Sequence, residues 1–143
     1  MYYKLYRKTI CTLHRDRIEK NMDIYDYLLE VLHHEYDNIK LLKKSERGET
    51  SLVRHRDSGT PYIFKHFYGN SEVYQKLLPV SCPNLPQIME AGEKEGKVAL
   101  LEEYVKGDNL GEILEESLLT TEEAKQIVQQ LCSALWVLHS RGI

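Results

Sequence analysis

The residue with the clearest need for a chemical partner is Lys65, embedded in Tyr62-Ile63-Phe64-Lys65-His66-Phe67. An ammonium flanked by aromatic and β-branched residues is costly to desolvate unless an anion meets it. Two readings fit: a cation aimed at an anionic ligand, or a lysine on the solvent side of an alternating strand. Seven residues on, Glu72 is the only acid in the stretch SEVYQKLL, residues 71–78. That connection reaches about 23 Å when extended, so Glu72 can meet Lys65. Equally, an acid in the first turn of a helix complements the helix dipole. Upstream, KKSERGET (43–50) is a tight polar turn whose lysines can attract phosphate, and which serves equally as a plain hairpin turn needing one glycine. His14-Arg15-Asp16 stands in no context that would make it a site. Cys11, Cys82 and Cys132 are odd in number, widely spaced and without a C-x-x-C, which argues against a disulfide framework and against zinc. They read as buried thiols in a reducing compartment.

The elements that must position these groups alternate in character along the chain. Up to about Tyr36 the chain reads as two amphipathic helices. Tyr3, Tyr6, Ile10 and Leu13 form one stripe, and Ile24, Leu28, Val31 and Leu32 the next, with Asn21 or Asp23 as cap. Residues 37–44 and 50–55 read as strands, Arg56-Asp57-Ser58-Gly59 as a turn, and 60–67 as the returning strand. Residues 71–78 suggest a short helix capped by Ser71 and stopped by Pro79. A second hairpin pairs 87–91 with 97–102 around the turn Gly92-Glu93-Lys94-Glu95-Gly96. Thr120 and Glu123 form a capping box, followed by Ala124, Ile127, Val128, Leu131, Ala134, Leu135 and Leu138 at helical spacing, with Gly142 as the stop. Strands cluster between helices, so the fold class is α+β with an antiparallel sheet of about five strands.

The 143 residues suffice for one modest domain. Charged residues are 29% and the net charge is −3, a balance that asks for neither nucleic acid nor an acidic membrane surface. No run is long and apolar enough for a membrane helix and the start is too polar for a signal peptide, which predicts a cytoplasmic protein.

Residues from about 36 onward resemble the small lobe of a eukaryotic-type serine/threonine protein kinase. Four pieces carry the resemblance: the loop before VRHRDSG, the lysine strand YIFKHF, the hinge strand ALLEEYVKGDNL, and the final LHSRGI. Glu103-Tyr104-Val105-Lys106-Gly107-Asp108-Asn109-Leu110 looks like the family's E-Y-x-x-G-x-x-L, and Leu138-His139-Ser140-Arg141-Gly142-Ile143 like its L-H-x-x-G-I. The resemblance implies that Lys65 pairs ATP phosphates and Glu72 pairs Lys65. It puts Lys43, Ser45 and Gly48 on the three glycine positions of the phosphate loop, where only Gly48 is a glycine. Thr50 falls where the family has a valine over adenine, and Ile63 where it has a small alanine, narrowing the slot. Glu102 falls on the gatekeeper position, where Lys65 is one partner for its carboxylate. Backbone groups of Glu103 and Val105 would read adenine, and Asn109, or Asp108 beside it, would reach the ribose.

The resemblance implies ATP as cofactor, with magnesium only in a complete parent, and a protein hydroxyl as the parent's substrate. No metal ligands and no H-R-D or D-F-G of the family follow the hinge in this sequence, so the chain alone is expected to be inactive. A pseudokinase or docking module, and a fragment of an aminoglycoside-kinase-type phosphotransferase, are the alternatives. The expected organisation is a helical extension (1–36), a small lobe (37–106), and the hinge exit with the first large-lobe helices (107–143). The apolar face of the 120–140 helix needs a cover, either the N-terminal helices with Tyr6, Ile10, Leu13, Leu28 and Leu32 or a second copy, and a homodimer is the expectation.

Overall fold

The computed structural model describes residues 22–143. The first expected helix, with Tyr3, Tyr6, Ile10 and Leu13, and Cys11 lie outside them. Helix α1 (Ile24–Glu35) starts at Asp23, whose Oδ1 accepts the Tyr25 N–H at 2.8 Å, so Asp23 is the cap. The chain then passes directly into strand β1 (Tyr36–Ser45), followed by β2 (Gly48–His55) and β3 (Pro61–Tyr68). Helix α2 (Glu72–Leu77) precedes β4 (Ile88–Lys94) and β5 (Lys97–Glu103), and two helices end the chain, α3 (Leu110–Glu116) and α4 (Thr121–His139). The five strands form one antiparallel sheet in the order β1-β2-β3-β5-β4, the α+β arrangement the patterning predicts.

Strand alternation divides the apolar residues between two faces. Val53, Tyr62, Phe64, Ala99 and Leu101 point to the outer face, where Tyr25 and Leu28 of α1 cover them. Ile88, Ala91, Val98 and Leu100 point to the inner face, with Phe67 and with Tyr74, Leu77 and Leu78 from the α2 segment. The entry from α1 to β1 is pinned by Arg56, which donates from Nη1 to the His34 carbonyl at 2.7 Å and from Nε to Asp37 Oδ1 at 2.9 Å. Lys94 of β4 meets Asp26 of α1, and that hydrogen bond holds the Lys94 ammonium above its ordinary pKa. The Tyr25 hydroxyl lies 2.7 Å from His66 Nε2, tying α1 to β3 as well.

The second hairpin differs from its expected limits. Strand β4 runs on through Gly92 to Lys94, and the turn is only Glu95-Gly96, with φ of 51° and 71°. That is the left-handed pair of a two-residue hairpin loop. Gly92 belongs to the strand, paired with Ala99, and the start of α1 lies directly against it. Helix α2 is also held differently from the expectation. Ser71 makes no side-chain cap bond; instead its backbone N–H donates to Glu93 Oε2 at 2.7 Å. Gln75 Nε2 donates to the Ala91 carbonyl at 2.7 Å, so β4 anchors the helix at two points.

At the C-terminal end, Thr120 and Glu123 satisfy each other as the capping box predicts, at 3.2 Å and 2.8 Å. The Thr120 backbone N–H, and secondarily its hydroxyl, hold the Glu123 carboxyl below its ordinary pKa. Gly142 is left-handed at φ 67°, and the Ile143 N–H returns to the Leu138 carbonyl at 3.2 Å, ending α4 as expected. On the predicted apolar face Ala134 is buried, while Val128, Leu131 and Leu135 are exposed, as is Trp136 beside it. Cys132 is exposed and Cys82 half-buried, both unpaired, so neither is the buried thiol that was expected. Among the described residues no helix is long and apolar enough to cross a membrane.

Candidate functional site

The site is assembled by strand register. Directly paired residues of an antiparallel sheet share a face, so the pairings Lys43↔Thr50 and Thr50↔Lys65 put these three residues in one row. The pairings Leu52↔Ile63 and Ile63↔Glu102 form the next row on the same face. Five residues singled out for nucleotide contact, Lys43, Thr50, Ile63, Lys65 and Glu102, therefore lie on the inner face across four strands. The hydrophobic pattern forces this arrangement. A slip of one residue would turn Tyr62 and Phe64 out of the α1-covered core and drive Lys65 into it.

The Lys65 Nζ lies 2.5 Å from Glu102 Oε1. The Glu102 side chain is 11% exposed and that of Lys65 is 32% exposed. A carboxylate at that depth is costly unless its charge is met, and Lys65 meets it diagonally across the β3–β5 pair. Behind the ion pair is a cavity of about 250 Å³, walled by Tyr74 and Leu77 of α2, by Val80, Leu85 and Pro86 of the following loop, and by Ile88 of β4. These apolar wall residues carry no motif, and the sequence reading did not single them out.

Glu72 is elsewhere. It pairs with Lys76 one turn on, at 3.1 Å, with its side chain 71% exposed. The helix-dipole reading of this acid fits what is seen, and Lys65 is partnered from the sheet instead. The β1–β2 turn is equally spare. Ser45 pairs with Gly48, and the Ser45 hydroxyl donates to the Gly48 carbonyl at 3.3 Å around the two residues Glu46 and Arg47. Gly48 has φ 153°, and a Cβ on it would fall 2.3 Å from the His66 carbonyl oxygen and 2.5 Å from the Phe67 Cα. The one glycine kept at the loop positions is thus required for the close approach of β2 to β3.

At the end of β5, the expected hinge, the Glu103 N–H donates to the Gln87 carbonyl at 2.9 Å, and its carboxylate accepts the Gln87 N–H at 3.1 Å. Val105 follows the end of β5 and is 63% exposed. Asn109 caps α3: its Oδ1 accepts the Glu112 N–H at 3.0 Å, and its own N–H donates to Glu112 Oε2 at 2.8 Å. An Asn followed three residues later by Glu is a recognisable cap signal. Among the described residues no group of three or more His, Cys, Asp or Glu is placed to hold a metal ion.

No family model matches the chain. It is 27% identical over 124 residues to sperm motility kinase 1 of Mus musculus, a match covering 80% of this chain and 25% of that protein. It is 25% identical over 133 residues to CBL-interacting serine/threonine-protein kinase 3 of Arabidopsis thaliana, covering 90% of this chain and 30% of that one. The solved kinase domain of Mycobacterium tuberculosis PknI superposes with a TM-score of 0.60 at 21% identity, over 76% of this chain and 49% of that chain. The chain thus spans 25–30% of these two curated relatives and about half of the kinase domain it superposes on. Its sequence relatives are named as kinases, the plant one as a serine/threonine-protein kinase, and its sheet has the fold of a kinase small lobe.

Proposed function

We propose that the chain is the nucleotide-binding lobe of a serine/threonine-protein-kinase-like protein, and that ATP is its ligand. One observation carries the reading: strand register gathers Lys43, Thr50, Ile63, Lys65 and Glu102 on one face beside the strand that leads into the hinge. On this reading the Lys65 ammonium contacts the nucleotide phosphates. The backbone of Glu103 and Val105 reads adenine, Thr50 and Ile63 bound the slot, and Asn109 stands at the ribose end. Lys43 and Ser45 border the phosphates from the end of β1. Bound ATP supplies a transferable γ-phosphoryl group, and in a complete parent with its magnesium ligands the acceptor is a protein hydroxyl. The 143 residues alone transfer none. A cytoplasmic, reducing setting suits the free Cys82 and Cys132.

The test is titration of the purified chain with Mg-ATP, read by a fluorescent ATP analogue and by calorimetry. Saturable binding that is lost in Lys65→Met, with the circular dichroism unchanged, is the expected result. No binding by a folded chain overturns it.

Two features favour a second reading, a non-catalytic binding module of the same fold. The Lys65 charge is already met by Glu102, and Gly48 is taken up in packing on β3. On either reading we propose that a second copy covers Val128, Leu131, Leu135 and Trp136 of α4, which are 47–72% exposed. A contiguous apolar face of this kind is uncommon on a soluble monomer.

A further inference from the structure

The geometry points to Glu102 as the positioning residue for Lys65. The carboxylate that orients the nucleotide-binding lysine is built into the sheet, and α2 does not supply it. The inference rests on the nucleotide-lobe reading for its consequence, though not for its geometry.

Three observations carry it. First, the Lys65–Glu102 contact is 2.5 Å, and Glu102 is the deeper partner. A carboxylate so enclosed has little water to turn to, so the pair is held by the carboxylate's need as much as by the lysine's. Second, the only acid of α2 is already engaged: Glu72 bonds Lys76 on its own helix, out in solvent. Third, the two members sit on directly hydrogen-bonded strands, with Ile63 opposite Glu102 and Lys65 opposite Leu100. Their separation is set by the β3–β5 ladder, which is the centre of the sheet and is packed on both faces. Helix α2 is six residues long and rests on β4, so it is the more easily displaced element.

The consequence is regulatory. A lysine whose partner rides on a helix is oriented or released as that helix swings. A lysine whose partner is two strand positions away on the neighbouring strand stays oriented whatever α2 does. The site then has no helix-controlled off state at Lys65. What remains adjustable is the cavity between α2 and the pair, where Tyr74 and Leu77 move with the helix and Lys65 does not.

The test uses the full chain and reads Lys65 directly, without nucleotide. A lysine amine held against an enclosed carboxylate is less free to reach an acylating ester. Brief exposure to an N-hydroxysuccinimide ester, with Lys65 labelling quantified by peptide mass spectrometry, should show slow modification in wild type. Labelling about tenfold faster is expected in Glu102→Gln, the scale of coupling between directly paired side chains. Glu72→Gln should match wild type. Equal labelling in Glu102→Gln and wild type, or acceleration in Glu72→Gln, overturns the assignment. Should Glu102→Gln fail to fold, Glu102→Asp takes its place: it keeps the charge with a shorter reach, and an intermediate rate is expected, with a wild-type rate counting against the assignment. The same variants are titrated with Mg-ATP. Weaker binding in Glu102→Gln, and no further effect of that change in a Lys65→Met background, supports positioning. Tighter binding in Glu102→Gln overturns it, because the carboxylate would then be competing with phosphate. If wild type binds no nucleotide while the labelling pattern holds, the ATP reading falls and the Lys65–Glu102 assignment stands.

Discussion

Gly92 of β4 packs directly on the backbone of Tyr25 at the start of α1: a Cβ built on Gly92 would lie 2.5 Å from the Tyr25 nitrogen and 2.7 Å from its Cα. Backbone cannot turn aside as a side chain does. Gly92→Ala must therefore lift α1 from the outer face of the sheet, where Tyr25 and Leu28 belong to the buried cluster. The expected loss is about 1–3 kcal/mol, the usual cost of overpacking. Urea denaturation measures it, and a midpoint equal to wild type would show that α1 does not rest on β4 in solution.

The reciprocal bonds of Asn109 and Glu112 make Asn109 a helix cap before it is anything else. Asn109→Ala should cost about 1 kcal/mol of local helix stability, and Asn109→Asp almost none. Hydrogen exchange of the α3 amides distinguishes them, with faster exchange in the alanine variant alone. Equal protection in both variants would mean that the cap contributes nothing.

Acid should loosen the start of α4. The Glu123 carboxyl is held below its ordinary value of 4.5 by the Thr120 backbone N–H and then by its hydroxyl. A depressed folded-state pKa contributes stability that is present above the unfolded-state value and lost as the pH falls through the folded one. Exchange protection in the first turn of α4 should therefore be flat above about pH 5 and decline below pH 4.5. In Glu123→Gln, which keeps a hydrogen-bonding side chain at that position, the decline should flatten. A decline of the same size in that variant would assign the acid response to another group.

Self-association through α4 predicts a mass above the monomer at micromolar concentration, by sedimentation or light scattering. Leu131 is 55% exposed, so Leu131→Asp should leave the fold intact and return the chain to monomer. A wild-type monomer, unchanged by the substitution, would reject the dimer.

Much of the architecture is local and so was legible in the chain itself. The alternation of Tyr62 and Phe64 with Ile63 and Lys65 assigns a strand and its two faces, and the Thr120–Glu123 and Asp23 caps mark helix starts, because each depends on residues within a few positions of one another. The order of strands and helices was legible in periodicity, caps and turns, and that order, with the hinge string around Glu103 and Val105, carried the resemblance to a kinase lobe. Three things were decided only by the tertiary structure. The chain offered both Glu72 and Glu102 as partners for Lys65, and the choice was made by register, which places Glu102, 37 positions away, beside it, whereas Glu72 turns back to its own helix. The turn of the second hairpin is Glu95-Gly96 alone, because β4 stays paired with β5 through Lys94, and Gly92 lies where α1 crosses β4. Helix α2 took its anchor from Glu93 in place of its own Ser71. Each of these depends on which strands lie side by side, and a residue's own neighbours along the chain carry no record of that.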